Sequence, residues 1–348
     1  MGTSVSTEGT APAAGTVSNT MVAGVELGDP VLAENVRDGL AAVETLMVEE
    51  LSDGEDFLTE AALHLAKAGG KRFRPLFAVL TGQWGQPNDP SIVTAATVVE
   101  LVHLATLYHD DVMDEATVRR GAPSANVRWG NSVAILAGDY LFAHASRLTS
   151  TLGPSAVEVI AKTFAELVTG QMRETIGASE KKDPVEHYLR VVWEKTGSLI
   201  AAAGRFGGTF SGADDEQIER LERLGDAVGV AFQIVDDIID IASDATDSGK
   251  TPGTDLREGV HTLPVLYALM DEGPDGERLR ELLVGPLEEE ALVAEALELL
   301  KRSSGMDAAK KTLQTYVDHA HAELEALPQG PANEALRRLV DFTVARVG

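Results

Sequence analysis

The sequence predicts an all-α fold, one helical bundle, on three observations. Apolar residues recur at helical spacing almost without a break from residue 29 to residue 348. Asp-Pro or Gly-Pro punctuation opens five of these periods, where proline suits the first helical turn. Period-2 runs of β-branched residues are scarce, no strand pair is convincing, and no Asn-Gly turn offers a hairpin.

Taken in order, residues 1–28 are rich in Gly, Ser, Thr and Ala without apolar period and read as a flexible N-terminal tail. Asp29-Pro30 opens the first helix, VLAENVRDGLAAVETLMVEEL, and with it a single domain over residues 29–348. Asp89-Pro90 opens a helix to about residue 115, Gly153-Pro154 one to about 176, Asp183-Pro184 one to about 202, and Gly330-Pro331 the last. Short connections favour antiparallel neighbours. Segments 243–260 and 271–276 are the loopiest.

Composition narrows the function. Basic residues number 29 against 55 acidic ones, a net charge of −26, which argues against a nucleic-acid binder, since that needs a basic face to meet phosphate. A small phosphorylated substrate remains open if metal ions or a local basic cluster hold it. The absence of cysteine excludes thiol catalysis, disulfides and Cys-ligated metals. No apolar run reaches the ~18 residues of a transmembrane segment, and MGTSVSTEGTAPAAGTVSNT is no secretory signal. A cytoplasmic setting is the expectation, with transient membrane contact only through an apolar product.

One internal echo carries the chemistry. Asp110-Asp111-Val112-Met113-Asp114 and Asp236-Asp237-Ile238-Ile239-Asp240 both read D-D-x-x-D inside apolar helical periods. Positions i and i+4 share a helix face, so Asp110 aligns with Asp114 and Asp236 with Asp240. With 24 Asp in 348 residues, one such motif is expected about 0.1 times by chance. Either alone fits a solvated acidic helix end. Together they fit two carboxylate walls facing across a cavity, a hard-oxygen donor set suited to Mg²⁺ bridged to substrate phosphates. Zinc is disfavoured, because neither motif holds a histidine.

Cations accompany the carboxylates. Gly69-Gly70-Lys71-Arg72-Phe73-Arg74-Pro75 packs three into four positions, and Arg119-Arg120-Gly121 follows the first motif. Singly these fit solvated turns or surface ion pairs. His103 lies two turns before Asp110 on the same face, and taken alone it fits a core histidine. Lys195-Thr196-Gly197 and Gly249-Lys250-Thr251-Pro252-Gly253 gain weight only in the ensemble.

That ensemble resembles the trans-isoprenyl diphosphate synthases, or polyprenyl synthetases. GGKRFRP, HLATLYHDDVMDEATVRRG, LAGDYLF, VTGQ, KTGSLIA, FQIVDDIID and GKTPGTDLREGVHTLP occur in the family's order over about residues 35–345. The resemblance implies an isoprenoid-synthase-like bundle around a deep central cavity, usually in a homodimer. It implies head-to-tail condensation of isopentenyl diphosphate with an allylic diphosphate, dependent on Mg²⁺, with three ions once substrate is bound. By the family pattern Asp110, Asp114 and Asp236 hold metal, and Asp111, Asp237 and Asp240 complete the motifs. Arg119, Lys195 and Lys250 contact the allylic diphosphate. Lys71, Arg74, His103 and Arg120 bind isopentenyl diphosphate, and Thr196, Gln171 and Gln233 line the reacting centre. Thr254 and Val260 stand where many relatives carry lysine, so the late loop offers fewer cations.

Product length follows from the residues one turn before the first motif, where a bulky aromatic stops growth early in this family. Ala105 and Thr106 are small, which predicts a long product of about C30–C50, suited to a quinone side chain, with Phe142 as a candidate lower stop. The alternative is a shorter-chain synthase making farnesyl or geranylgeranyl diphosphate. A class I terpene cyclase has no use for the GGKRFRP site. A non-catalytic synthase subunit tends to lose the Asp motifs, and both are whole here.

Overall fold

The computed structural model describes residues 20–52, 54, 56–178, 182–242 and 252–345. After a short hairpin, β1 (Met21–Val22) and β2 (Val25–Glu26), the chain runs through α1 (Pro30–Leu51), α2 (Asp56–Lys67), α3 (Phe73–Thr81) and α4 (Pro90–Met113). A second hairpin, β3 (Val118–Arg119) and β4 (Ala122–Pro123), leads to α5 (Ala125–Trp129), α6 (Asn131–Thr151), α7 (Pro154–Ile176) and α8 (Pro184–Val192). Then follow α9 (Ser198–Ser211), α10 (Asp215–Ala242), α11 (Thr254–Glu258) and α12 (Leu263–Leu269). The chain closes with α13 (Pro274–Leu282), α14 (Glu290–Lys301), α15 (Ser304–Ala326) and α16 (Pro331–Val344).

The Asp-Pro punctuation acts as expected. Asp29, Asp89 and Asp183 each accept a hydrogen bond from a first-turn backbone N–H, of Leu32, Ser91 and Val185, all at 2.8 Å. Helix α4 runs through the middle, packed on α6, α9, α3 and α1. By length and composition it would pass for a membrane span, against the expectation that no run is long enough. Its apolar residues are instead the core: Val98, Val99, Leu101, Val102 and Leu104 are fully buried.

Helix α10 closes on the turn that precedes α9 because glycines face each other there. A Cβ on Gly229 would lie 2.6 Å from the Gly197 Cα, so only glycine permits this approach. The contact sets Thr196 beside Gln233, one turn further along α10.

The structure corrects three expectations. Residues 20–28 are not tail: Val22, Val25 and Leu27 are buried, and the hairpin packs on α1 and α16. Two-residue strands are too short to show a period, so the sequence hid them. Residues 1–19 lie outside the described residues. The helix expected from 184 to about 202 ends at Val192, continues as one π-helical turn, Trp193–Gly197, and resumes as α9. Such turns cluster at functional sites, and this one carries Lys195 and Thr196. Finally, Arg119 and Arg120 lie on and beside the second hairpin, where no strand was expected.

Candidate active site

The first carboxylate wall is the C-terminal turn of α4. Asp114 caps the helix, its N–H bonded to the Asp110 carbonyl at 2.8 Å. Burial raises the Asp110 carboxyl to about 6, with Asp114 adding to the rise and Lys195 and Arg119 opposing it. Asp111 turns inward and is fully buried. Its Oδ1 accepts from Arg119 Nε at 2.6 Å, while Oδ2 has no partner among the described residues. Asp111 therefore holds Arg119 rather than facing the cavity with its neighbours.

The second wall is the last two turns of α10. Asp237 is buried, and its two oxygens are each given a donor: Tyr188 donates its OH to Oδ2, and Gln233 Nε2 donates to Oδ1 at 2.9 Å. Burial raises this carboxyl to about 7, against the two hydrogen bonds and with Asp236 and Asp240 adding to the rise. Asp240 accepts from the backbone N–H groups of Thr254 and Asp255, at 3.1 and 3.2 Å, and so anchors the start of α11. Asp236 is half-buried.

Each motif sends one aspartate to the same hollow. A cavity of ≈ 560 Å³ is lined by Asp114 of the first motif and Asp237 of the second, together with Gln233, Lys195, Thr196 and Glu258. The Glu258 carboxyl is raised by burial and then by both Asp114 and Asp240, so it feels the two motifs at once. Lys195 donates to Glu174, and Thr196 Oγ1 donates to Gln233 Oε1 at 3.4 Å. Val260 lines the same cavity as an apolar residue.

A second, mostly apolar cavity of ≈ 410 Å³ begins where the first ends, with Lys195 in both walls. Asp110 and Gln171 stand at its polar end, and Thr106, Ile135, Phe164 and Leu167 line it. Thr106 thus lies where the spacing put it. Ala105 does not line it: it is buried, and its carbonyl faces Gly138 of α6. Phe142 reaches the cavity only through Phe164, on which it stacks at 4.0 Å between ring centroids. Phe164 and Leu167 carry no motif, and only their spacing along α7 after VTGQ is located would have found them.

The basic residues gather around the buried carboxylate Glu100. Arg72 bonds Glu100 at 2.9 Å, Glu44, and the Ala66 carbonyl at 2.7 Å, so its guanidinium is saturated and structural. Arg120 bonds the Leu65 carbonyl at 3.1 Å and reaches past Gly70, where a Cβ would lie 3.0 Å from its Cζ. Arg72 and Arg120 both hold left-handed backbone, φ 50° and 53°, a strain typical of functional loops. Arg74 is deeply set, though part of its surface meets solvent, and its enclosed Nε has no partner among the described residues. Burial lowers the Arg74 guanidinium to about 10, with Arg120 adding and Glu100 opposing, so it stays charged at neutral pH. His103 lies within this group, held well below its ordinary range by burial and then by Arg74 and Arg120; it is a neutral imidazole. Lys71 is exposed at the loop's edge. Lys250 falls outside the described residues.

Among the described residues no three His, Asp or Glu side chains enclose an ion by themselves. The donor set fits divalent ions that complete their shell with oxygens from a bound diphosphate. A larger hollow of ≈ 750 Å³ beyond α8 shares only His187 with the cavity lined by Asp114 and Asp237, and its cations are matched by carboxylates.

A model of the polyprenyl synthetase family matches residues 55–300. A nonaprenyl diphosphate synthase of Mycobacterium tuberculosis is 63% identical over 94% of this chain and 98% of its own. The crystal structure of a geranylgeranyl pyrophosphate synthase from Corynebacterium glutamicum, with calcium and isoprenyl diphosphate, superposes with a TM-score of 0.85 at 56% identity, covering 93% of this chain and 100% of that one. A decaprenyl diphosphate synthase from Rhodobacter capsulatus superposes at 0.82 with 34% identity, covering 91% and 99%.

Proposed function

Because this chain belongs to the polyprenyl synthetase family and is a prenyltransferase, we propose that it condenses isopentenyl diphosphate with an allylic diphosphate into a long all-trans polyprenyl diphosphate, of about C30–C50. The observation that carries the reading is the pair of cavities meeting at Lys195: a carboxylate-walled hollow for the diphosphate and an apolar one for the chain. The 63% identity to a nonaprenyl diphosphate synthase supports the long product over the shorter-chain alternative.

The demanding step is cleavage of the allylic C–O bond, which leaves a carbocation and a diphosphate. Divalent ions, Mg²⁺ by the donor chemistry, held by Asp110, Asp114 and Asp236 would neutralise the leaving diphosphate. Lys195 and Arg119 add positive charge where negative charge develops. Arg74, with an enclosed Nε awaiting an acceptor, and Arg120 hold the second diphosphate, with neutral His103 beside them. The packed helices keep water from the cation, and the oxygens of Thr196, Gln171 and Gln233 face the reacting carbon. The double bond of isopentenyl diphosphate attacks that carbon, and the proton it sheds passes to the departed diphosphate.

A homodimer accompanies this reading. Leu136 on α6 and Ile176 on α7 are apolar yet 64% and 78% exposed, and a second copy would cover them. The test incubates pure protein with Mg²⁺, isopentenyl diphosphate and farnesyl or geranylgeranyl diphosphate and sizes the products. Long polyprenyl chains are expected; products ending at C20 overturn the long-chain reading, and no turnover with any allylic primer overturns the whole.

A further inference from the structure

Asp237 belongs to the second carboxylate wall, yet both its oxygens are engaged inside the protein. Tyr188, from α8, donates to Oδ2, and Gln233 donates its amide nitrogen to Oδ1 at 2.9 Å. An amide has one face for donors and one for acceptors, so this bond fixes which way Gln233 points. With Nε2 on Asp237, Oε1 turns to Thr196 Oγ1 at 3.4 Å and to the cavity that both residues line. Tyr188 borders the same cavity and holds the carboxylate's other oxygen. Asp237 is only 4% exposed, so a lost donor leaves its oxygen poorly satisfied.

We propose that Tyr188 is a positioning residue: its hydroxyl clamps Asp237, and Asp237 in turn holds the Gln233 carbonyl oxygen toward the reacting carbon. This inference rests on the prenyltransferase reading above and deepens it. Without Tyr188 the Asp237 carboxylate loses one of two fixed donors and rotates, and the Gln233 amide is free to flip its NH₂ toward the cation. A donor aimed at a cation repels it, so the cation is left to the water that reaches the cavity. Capture by water forms a C–O bond at the allylic carbon and releases one proton to the diphosphate that has left, giving prenyl alcohol in place of the condensation product.

The test follows radiolabelled farnesyl diphosphate to both products, polyprenyl diphosphate and farnesol, in Tyr188→Phe, Asp237→Asn and the double variant, with melting curves as a fold control. The expected result is an alcohol fraction about tenfold above that of the unaltered protein in each single variant. The double variant should exceed neither, because both act through one contact. The KM for farnesyl diphosphate should stay within about twofold in Tyr188→Phe, which leaves all six motif aspartates in place. A second readout needs no turnover: the Gln233 side-chain amide protons, assigned by NMR in the substrate-free protein, should lose their exchange protection in Tyr188→Phe. An unchanged product ratio in both single variants, or additive effects in the double, would overturn the clamp. If the unaltered protein makes no product, the prenyltransferase reading fails; if it does and the ratio never moves, only this inference fails.

Discussion

Arg72 and Arg74 are two residues apart and chemically alike, yet burial and partners give them different work. Arg72 is saturated by Glu44, Glu100 and Ala66, whereas Arg74 keeps an enclosed Nε without a partner. Replacing Arg74 with Gln should raise the KM for isopentenyl diphosphate about tenfold or more, as the loss of a charge-assisted hydrogen bond implies, with little change in melting. Arg72→Gln should instead destabilise the fold by ~2–4 kcal/mol in denaturant titrations, because it leaves Glu100 buried and half-paired. His103 supplies a pH signature. Its folded pKa lies below the unfolded value, so the unfolded chain binds more protons as pH falls. Stability from this group is intact above about pH 6.5 and declines below it, by at most ~1.4 kcal/mol per pH unit, until the folded pKa is reached. Urea titrations between pH 7.5 and 5.5 should show a shallower acid loss in His103→Gln than in the unaltered protein.

At the scale of elements, the reacting centre depends on how closely helices approach. The Gly229–Gly197 contact between α10 and the π turn has no room for a methyl group. Gly229→Ala should therefore cost ~1–3 kcal/mol of stability and lower kcat, because it pushes Gln233 away from Thr196. The apolar cavity between α4, α6 and α7 makes a separate claim. Thr106→Phe should fill it one turn below Asp110 and shorten the product, while Phe164→Ala should lengthen it, both read by product sizing. Phe142→Ala should act more weakly, because that ring touches the cavity only through Phe164. Ala105→Phe should disrupt α4–α6 packing rather than trim the chain, since Ala105 is wholly buried against Gly138.

For the molecule as a whole, local signals in the sequence were strong where one residue type has one physical use. Asp-Pro marked helix starts, and paired D-D-x-x-D marked two helix ends that each send one aspartate, Asp114 and Asp237, to the same cavity. The residues that hold the site in shape were silent. Tyr188 grips Asp237 across 49 positions of sequence, and Phe164 lines a cavity with no polar atom to betray it. Within the motifs, Asp111 is engaged by Arg119, Asp237 by Tyr188 and Gln233, and Asp240 by the backbone of α11. Spacing alone does not reveal these roles, because they depend on which neighbours the folded helices bring. The central claim is that the two walls act together on one diphosphate through divalent ions. Calorimetric titration with farnesyl thiodiphosphate, an unreactive allylic analogue, tests it in the presence of Mg²⁺ and again with chelator. The account predicts metal-dependent binding to the unaltered protein that is lost equally in Asp114→Asn and in Asp236→Asn. Binding that survives chelation, or that either variant retains at full strength, would contradict it.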